Sequence, residues 1–491
     1  MGIVIRQSAR NLLFTYAGFL LGAFNTLALM PRILSREEMG LLNTFTSYSW
    51  VLANLCLFGM PLVIIRFYPL SRGALRRQLL AFGFTFPLVL SSAVAIVVLV
   101  FPSLIRDLLP KAEPMFLRHY KWILLMNVMH VAFEISASIL KSQMRTGPPV
   151  LWRELFLRIF NLIIYVFYAL GWLNYDALVA LFACSSVVIL IGLLLHINDF
   201  SWLRPSLYFQ TEWLRYGAYN LASIGLVFVV YQLDIIMLHR FGYLTQIPIY
   251  TISMFVATTI QLPFRAFASV AVPLVAQAFA RHDLEAVRHL YRRSSELMLV
   301  VGGFLSLLIL WCANEFRYFL PADYRPHLLQ PLLFLVMAKW LDMAMGLNGA
   351  IINQSAHYRF DIWANLLLLV IGFTLNVIFI PRWGISGAAL ATFFSIMAYN
   401  LARYLYILRR FGVHGFDWNA LHIIGYYLIF YFLCSQINFS GHPLLVIVIK
   451  TFLITIITVV WVYIFKPSGQ ALDILDKIRK KSVSFIYRKW D

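Results

Sequence analysis

Eight polar side chains stand where the surrounding sequence is almost purely apolar: Arg66, Asn127, His130, Glu134, Asp234, Arg265, Lys339 and Asp342. Their types point to two kinds of chemistry. A guanidinium presents planar donors that match two oxygens of a phosphate at once, so Arg265 and Arg66, joined by Lys339 and the amide of Asn127, are candidates for binding an anionic, phosphate-bearing group. A carboxylate or imidazole in apolar surroundings can take up and release a proton or a cation. Glu134, His130, Asp342 and Asp234 are therefore candidates for coupling to H+ or Na+, with no metal or organic cofactor implied. His130 and Glu134 lie four apart, and Lys339 and Asp342 three apart, near enough on a helix to share a proton or to pair. Arg265 follows Pro263 by two residues, and a proline frees carbonyls that a hydrated cavity can satisfy. Each pattern also has a structural counterpart: an interior hydrogen-bond network, a self-neutralised pair, or a salt bridge from Arg265 to Asp234.

The elements that must carry these groups follow from composition. Of 491 residues, 61% are hydrophobic and only 12% charged, against about a quarter charged in soluble domains. Too little polar surface is available to coat a chain of this length, which excludes a water-soluble enzyme. Apolar segments fall at about 11–34, 41–65, 79–105, 120–140, 155–173, 177–197 and 216–239, then at about 247–278, 297–313, 328–352, 361–380, 385–408, 420–437 and 443–465. The expectation is an all-α polytopic membrane protein with about fourteen transmembrane helices.

Lys and Arg distribute unevenly about these segments. Of 40, the N-terminus, the even-numbered connectors and the C-terminal tail hold 25, and the odd-numbered connectors hold 10. This asymmetry predicts a multi-pass protein of the cell (inner) membrane with both termini cytoplasmic. It also accounts for most of the net charge of +19 without a nucleic-acid partner, since basic residues gather where they meet anionic lipid. In the tail, Lys477, Arg479, Lys480 and Lys481 form either a stop-transfer cluster or one face of a helix lying on the inner leaflet. Connectors are too short for an external catalytic domain, and neither a Walker nor a GxGxxG motif appears, so no enzymatic activity is expected. Cys56, Cys184, Cys312 and Cys434 lie far apart within apolar stretches and read as small hydrophobes. Arg6 and Arg10 precede the first segment without a cleavage signature, so that segment reads as a retained helix.

Segments four and ten align at an offset of 212 residues: Asn127, His130, Glu134, Ser138 and Lys141 on one helical face correspond to Lys339, Asp342, Gly346, Ala350 and Asn353. An even offset of six segments predicts two six-helix lobes of like orientation facing a central cavity. The expected divisions are 1–215 and 216–410 for the lobes, 411–465 for two appended helices and 466–491 for the tail.

Three stretches resemble the polysaccharide-transporter branch (Wzx-like oligosaccharide flippases) of the multidrug/oligosaccharidyl-lipid/polysaccharide exporter superfamily. They are LMPRILSREEMG (29–40); PFRAFASVAVP (263–273), continuing through RHDLE (281–285) and LYRRSS (290–295); and PRWGISGAALAT (381–392). The resemblance implies a flippase that moves polyprenyl-pyrophosphate-linked oligosaccharide, a surface polysaccharide repeat unit, to the outer leaflet by alternating access. Its partners would be that lipid-linked oligosaccharide, membrane lipids and polysaccharide-assembly proteins. Related carriers line their cavity with Arg and Lys, and Arg265 is the best match here. The core of segment one departs from this pattern, carrying only Asn11 and Asn25. A drug or cation antiporter of the same superfamily is the nearest alternative, favoured by Glu134 and Asp342, followed by a membrane polysaccharide polymerase or ligase.

Overall fold

The structure, a computed structural model, describes residues 2–109, 111–197, 200, 208–437, 439–469, 471–473 and 476. Among these there is no β-strand, and helices long and apolar enough to cross a bilayer dominate the chain. The basic cluster of the tail lies outside the described residues.

Nine continuous helices meet the length and hydropathy of a crossing, and three bent helix pairs raise the number to twelve. Among the described residues two further helical stretches correspond to the remaining apolar segments, one that contains a π-helical turn and one obtained by dividing the longest helix at its kink. In chain order they are α1 (Gly2–Ala23, carried on through Phe24–Leu29 and Met30–Ile33), α2 (Arg36–Leu57 with Met60–Phe67), α3 (Gly73–Val100) and α4 (Lys121–Ser142). Next come α5 (Gly147–Val150, Leu151–Phe156, Leu157–Ala169), α6 (Tyr175–Leu194), α7 (Thr211–Ser223 with Leu226–Arg240) and α8 (Leu244–Ala280). The rest are α9 (Leu284–Trp311), α10 (Leu329–Ala344 with Asn348–Gln354), α11 and α12 (the two parts of Phe360–Phe411), α13 (Trp418–Ser435) and α14 (Pro443–Phe465). The fourteen apolar segments thus each have a helical counterpart among the described residues.

Backbone chemistry explains the breaks. In α2, Phe58 and Gly59 adopt left-handed conformations and Pro61 cannot donate a hydrogen bond, so the helix turns through 46°. Gly59 is required for a second reason: a β-carbon there would lie 2.3 Å from the carbonyl oxygen of Gly217, where α7 crosses. The longest helix divides at Gly384, whose φ of 54° and ψ of −131° lie outside helical space. At the start of α2, Ser35 and Glu38 form a capping box: the Ser35 hydroxyl accepts from the Glu38 amide, and the Glu38 carboxylate accepts from the Ser35 amide at 2.8 Å.

Packing divides the chain into two compact units, Met1–Thr251 with Asn376–Ile385, and Ile252–Leu375 with Ser386–Asp491. The seventh helix, read from the sequence as opening the second lobe, packs on α2 in the first unit. In that unit α4 is the axis: 78% of its apolar window is buried, and Val131, Ile135 and Ile139 pack against Ala53 and Leu57 of α2 and Ile189 and Leu193 of α6. The second unit has its own core, in which Tyr291 of α9, Ile351 of α10, Val275 of α8 and Ile407 of α12 are buried together. In lipid, such close packing and interhelical hydrogen bonds hold helices together, since water exclusion contributes little.

Candidate functional site

Within the first unit lies a cavity of about 530 Å³, walled by α2, α4, α5 and α7. Four charges line it: Glu134 from α4, and Arg153, Glu154 and Arg158 from α5. A π-helical turn over Leu151–Phe156 widens α5 by one residue at this level, and π turns are rare features that concentrate at functional sites. A second π turn, Leu221–Gly225, contributes Leu221 and Gly225 to the opposite wall. Trp50, Asn54, Asn220 and Gln232 supply the remaining polar and aromatic lining.

The charges form a ladder. Arg153 Nη1 donates to Glu134 Oε1 at 2.5 Å, and Arg153 Nε lies 3.5 Å from Glu154 Oε1. Glu154 Oε2 in turn accepts from Arg158 Nη2 at 3.0 Å, one helical turn on. Arg158 is braced from α1, where the Gly18 carbonyl accepts from its Nη1 at 2.6 Å. A β-carbon at Gly18 would meet the Glu154 carbonyl oxygen at 2.1 Å, so the glycine lets α1 lie directly on the π turn. The ladder carries two positive and two negative groups and is neutral as it stands. Each charge at mid-bilayer would cost about 3 kcal/mol unpaired, which is why they occur as partners.

Of the eight residues singled out from sequence, one lines this cavity and the others lie elsewhere in the two units. Glu134 lines it. His130, one turn away, is buried behind Trp50, its ring stacked on the indole at a centroid distance of 4.5 Å and an angle of 19°. No hydrogen bond links His130 to Glu134, and His130 Nδ1 has no partner. Asn127 is fully buried and donates to Ser91 Oγ of α3 at 2.9 Å, so its amide serves helix packing rather than the cavity. Arg66 is exposed at the end of α2, its guanidinium 4.4 Å from the centre of the Tyr216 ring. Asp234 is buried elsewhere in the first unit and accepts hydrogen bonds from Tyr250 and, at 2.8 Å, from Asn376.

The other three lie in the second unit. Arg265 is exposed in the first turn after Pro263 and makes no hydrogen bond or ion pair among the described residues. Lys339 is buried in α10. Asp342 sits among amides: Gln261 Nε2 donates to one oxygen at 2.7 Å and Asn400 Nδ2 to the other at 2.9 Å, and Asn348 extends the chain to Asn400 at 2.8 Å.

Sequence reasoning missed Arg153 and Glu154 because segment five was begun at about residue 155, which left both in a connector, and it passed over Arg158 as a base near a helix start. The signal that could have found them is Gly147-Pro148-Pro149: proline is favoured in the first turn of a helix, and that start places Arg153 inside. Also missed were two buried pairs in the second unit, Asp361 with Arg403, and Lys450 with Glu315 at 2.7 Å.

No protein-family model and no curated protein matches this sequence. Solved structures do match, and those that match include membrane flippases and transporters, several of them described as MATE transporters. Among them is the lipid II flippase MurJ in an inward closed conformation, with a TM-score of 0.73 and 15% identity over 92% of this chain and 98% of that one. An inward-facing multidrug resistance MATE transporter of the MOP superfamily gives 0.65 and 15% over 82% and 94%. A MOP superfamily transporter from Pyrococcus furiosus, described as having a binding pocket of reversed polarity, gives 0.53 and 15% over 83% and 93%. At such identities the likeness establishes the fold, that of a polytopic membrane protein.

Proposed function

We propose that this chain is a flippase that carries polyprenyl-pyrophosphate-linked oligosaccharide across the cytoplasmic membrane by alternating access, with both termini cytoplasmic. The observation that carries the reading is the cavity of the first unit, where two arginines are held among helices that are otherwise apolar. A bilayer-embedded cavity with arginine donors suits a diphosphate joined to a greasy tail: the charged group enters the cavity while the tail stays in lipid. In the second unit Arg265, exposed and without an ion-pair partner among the described residues, is a separate proposed contact for the substrate, and Arg66 a first contact at the cytoplasmic mouth. Glu134, Asp342 and Asp234 are the proposed sites for a coupling proton or sodium ion. The amide ring around Asp342 fits that role, because an amide can turn either its N–H or its oxygen toward the carboxylate as the charge there changes.

A second reading has its own support. Glu134 and Glu154 match the arginines in number, so the same cavity could recognise an organic cation, as a drug antiporter of this fold would require.

Deleting the gene and identifying the lipid-linked intermediate that accumulates tests the proposal. The expected result is a polyprenyl-pyrophosphate oligosaccharide trapped in the inner leaflet. Arg265→Ala should insert and accumulate normally yet fail to restore surface polysaccharide. Normal restoration would remove Arg265 from the mechanism, and accumulation of no lipid-linked sugar would favour the antiporter.

A further inference from the structure

We propose that Glu134 is a stand-in for the substrate on Arg153: the diphosphate displaces this carboxylate from the guanidinium, and the displaced Glu134 takes up one proton. The inference rests on the flippase reading and specifies its binding step and its coupling.

Two ion pairs in this chain make the argument by contrast. Asp361 and Arg403 are closed off, with side chains only 9% and 11% exposed. Arg153 is 38% exposed, opens onto the cavity, and contacts Glu134 at 2.5 Å. One pair is sealed into packing, whereas the other meets whatever enters. A carboxylate on a guanidinium has the same donor geometry as a phosphate oxygen pair, so the two anions compete for one set of N–H groups. Arg158, anchored by the Gly18 carbonyl, stays in place as a second donor when the exchange occurs.

The charge balance favours the proton, even with Lys141 two turns along α4 acting electrostatically on Glu134. The ladder is neutral, and a diphosphate diester brings two negative charges into a site of low dielectric. If Glu134 remained ionised after losing Arg153, the cavity would hold both negative charges uncompensated beside a stranded carboxylate. Protonation forms one O–H bond on Glu134 with a proton from water and halves the excess. On release the steps reverse: the proton leaves, and Glu134 returns to Arg153. One proton is thus bound with each diphosphate.

The other ionisable groups about Glu134 do not supply this function. On α4 itself they are His130, behind Trp50, and Lys141, two turns away. On α5 they are Glu154 and Arg158, already described. The helices packed on α4 carry theirs elsewhere: Arg36, Glu37, Glu38 and Arg66 at the ends of α2, with Tyr48 joined to His239; Arg76 and Arg77 at the start of α3; and Tyr175 and Asp176 at the start of α6. The cysteines Cys56 and Cys184 sit on α2 and α6. From α7, Gln232 lines the cavity, while Asp234 is engaged by Tyr250 and Asn376.

The test is binding of a farnesyl-pyrophosphoryl sugar, a diphosphate diester whose two charges stay constant over the range, to the purified full-length protein between about pH 5.5 and about pH 8, by titration calorimetry. With one linked proton, wild-type affinity rises about tenfold for each unit fall in pH wherever Glu134 is ionised in the free protein. Glu134→Gln removes the competitor, so it should bind about tenfold more tightly than wild type near neutral pH and lose the pH slope. Arg153→Ala should lose binding throughout. Should Glu134→Gln fail to fold, the slope of wild type against Glu134→Asp, which keeps the titrating group, serves instead and should be retained. A wild type that binds with no pH slope, or a Glu134→Gln that binds more weakly or keeps the slope, overturns the exchange and leaves the flippase reading standing. A wild type that binds no farnesyl-pyrophosphoryl sugar at any pH overturns the flippase reading itself.

Discussion

At the scale of single residues, what matters is whether a charge inside the bilayer is sealed or reachable. Asp361 and Arg403 are sealed: the carboxylate also faces the Asn365 amide at 3.4 Å, and the guanidinium lies 4.1 Å from the centre of the Tyr399 ring. Removing one partner strands the other in a low-dielectric interior, at a cost of about 3–5 kcal/mol. Arg403→Ala should therefore lower the thermal unfolding midpoint of the detergent-purified protein by several degrees, and an unchanged midpoint would show that the pair bears little of the stability. Arg153 and Glu134 are reachable, and their loss should act on function first. Glu134 was legible in the sequence because a lone acid inside an apolar run is conspicuous. Arg153 was not, because a base near a helix start looks like a cytoplasmic charge until the start is placed by Pro148 and Pro149. Asn127 shows the opposite error: its stripe with Glu134 is real, but a helix buried on most sides points neighbouring stripe positions at different partners, here Ser91.

At the scale of elements, the succession of apolar helices was legible because lipid leaves the backbone no alternative to long apolar helices. Their bends were less so. The stretches that carry the family resemblance turn out to be corners: Ser35 and Glu38 cap α2, Gly40 lets that helix approach the Leu244 carbonyl, Pro263 opens the helical run to Ala280, and Gly384 separates α11 from α12. Such positions specify a fold and leave the substrate open, which is why the motifs resemble a superfamily more clearly than one activity. The π turn of α5 has no signature in residue type. It sets the direction of Arg153, since one residue of register rotates a helical side chain by about 100°. Deleting Leu151 should convert the turn to α-helix and swing the residues before it relative to Arg158. Membrane accumulation and a monodisperse size-exclusion profile are expected to survive while surface-polysaccharide complementation is lost. Full complementation by that deletion would make the π turn incidental.

For the whole molecule, hydropathy carries most of what could be read without coordinates: an all-helical chain with many apolar helices. The helices matched at the expected 212-residue offset differ in form. The axis helix α4 runs unbroken, whereas α10, its counterpart at the 212-residue offset, bends by 47° at Gly346. The two units carry different interior charge arrangements, a ladder on Arg153 in one and an amide ring on Asp342 in the other. The most direct measurement is flipping itself: purified protein in vesicles containing a polyprenyl-pyrophosphate-linked oligosaccharide, with transfer between leaflets followed by a membrane-impermeant lectin or oxidant. The account predicts transfer by wild type that Arg153→Ala abolishes at equal protein incorporation. Equal transfer by Arg153→Ala and wild type, or movement of organic cations with none of the lipid-linked sugar, would contradict it.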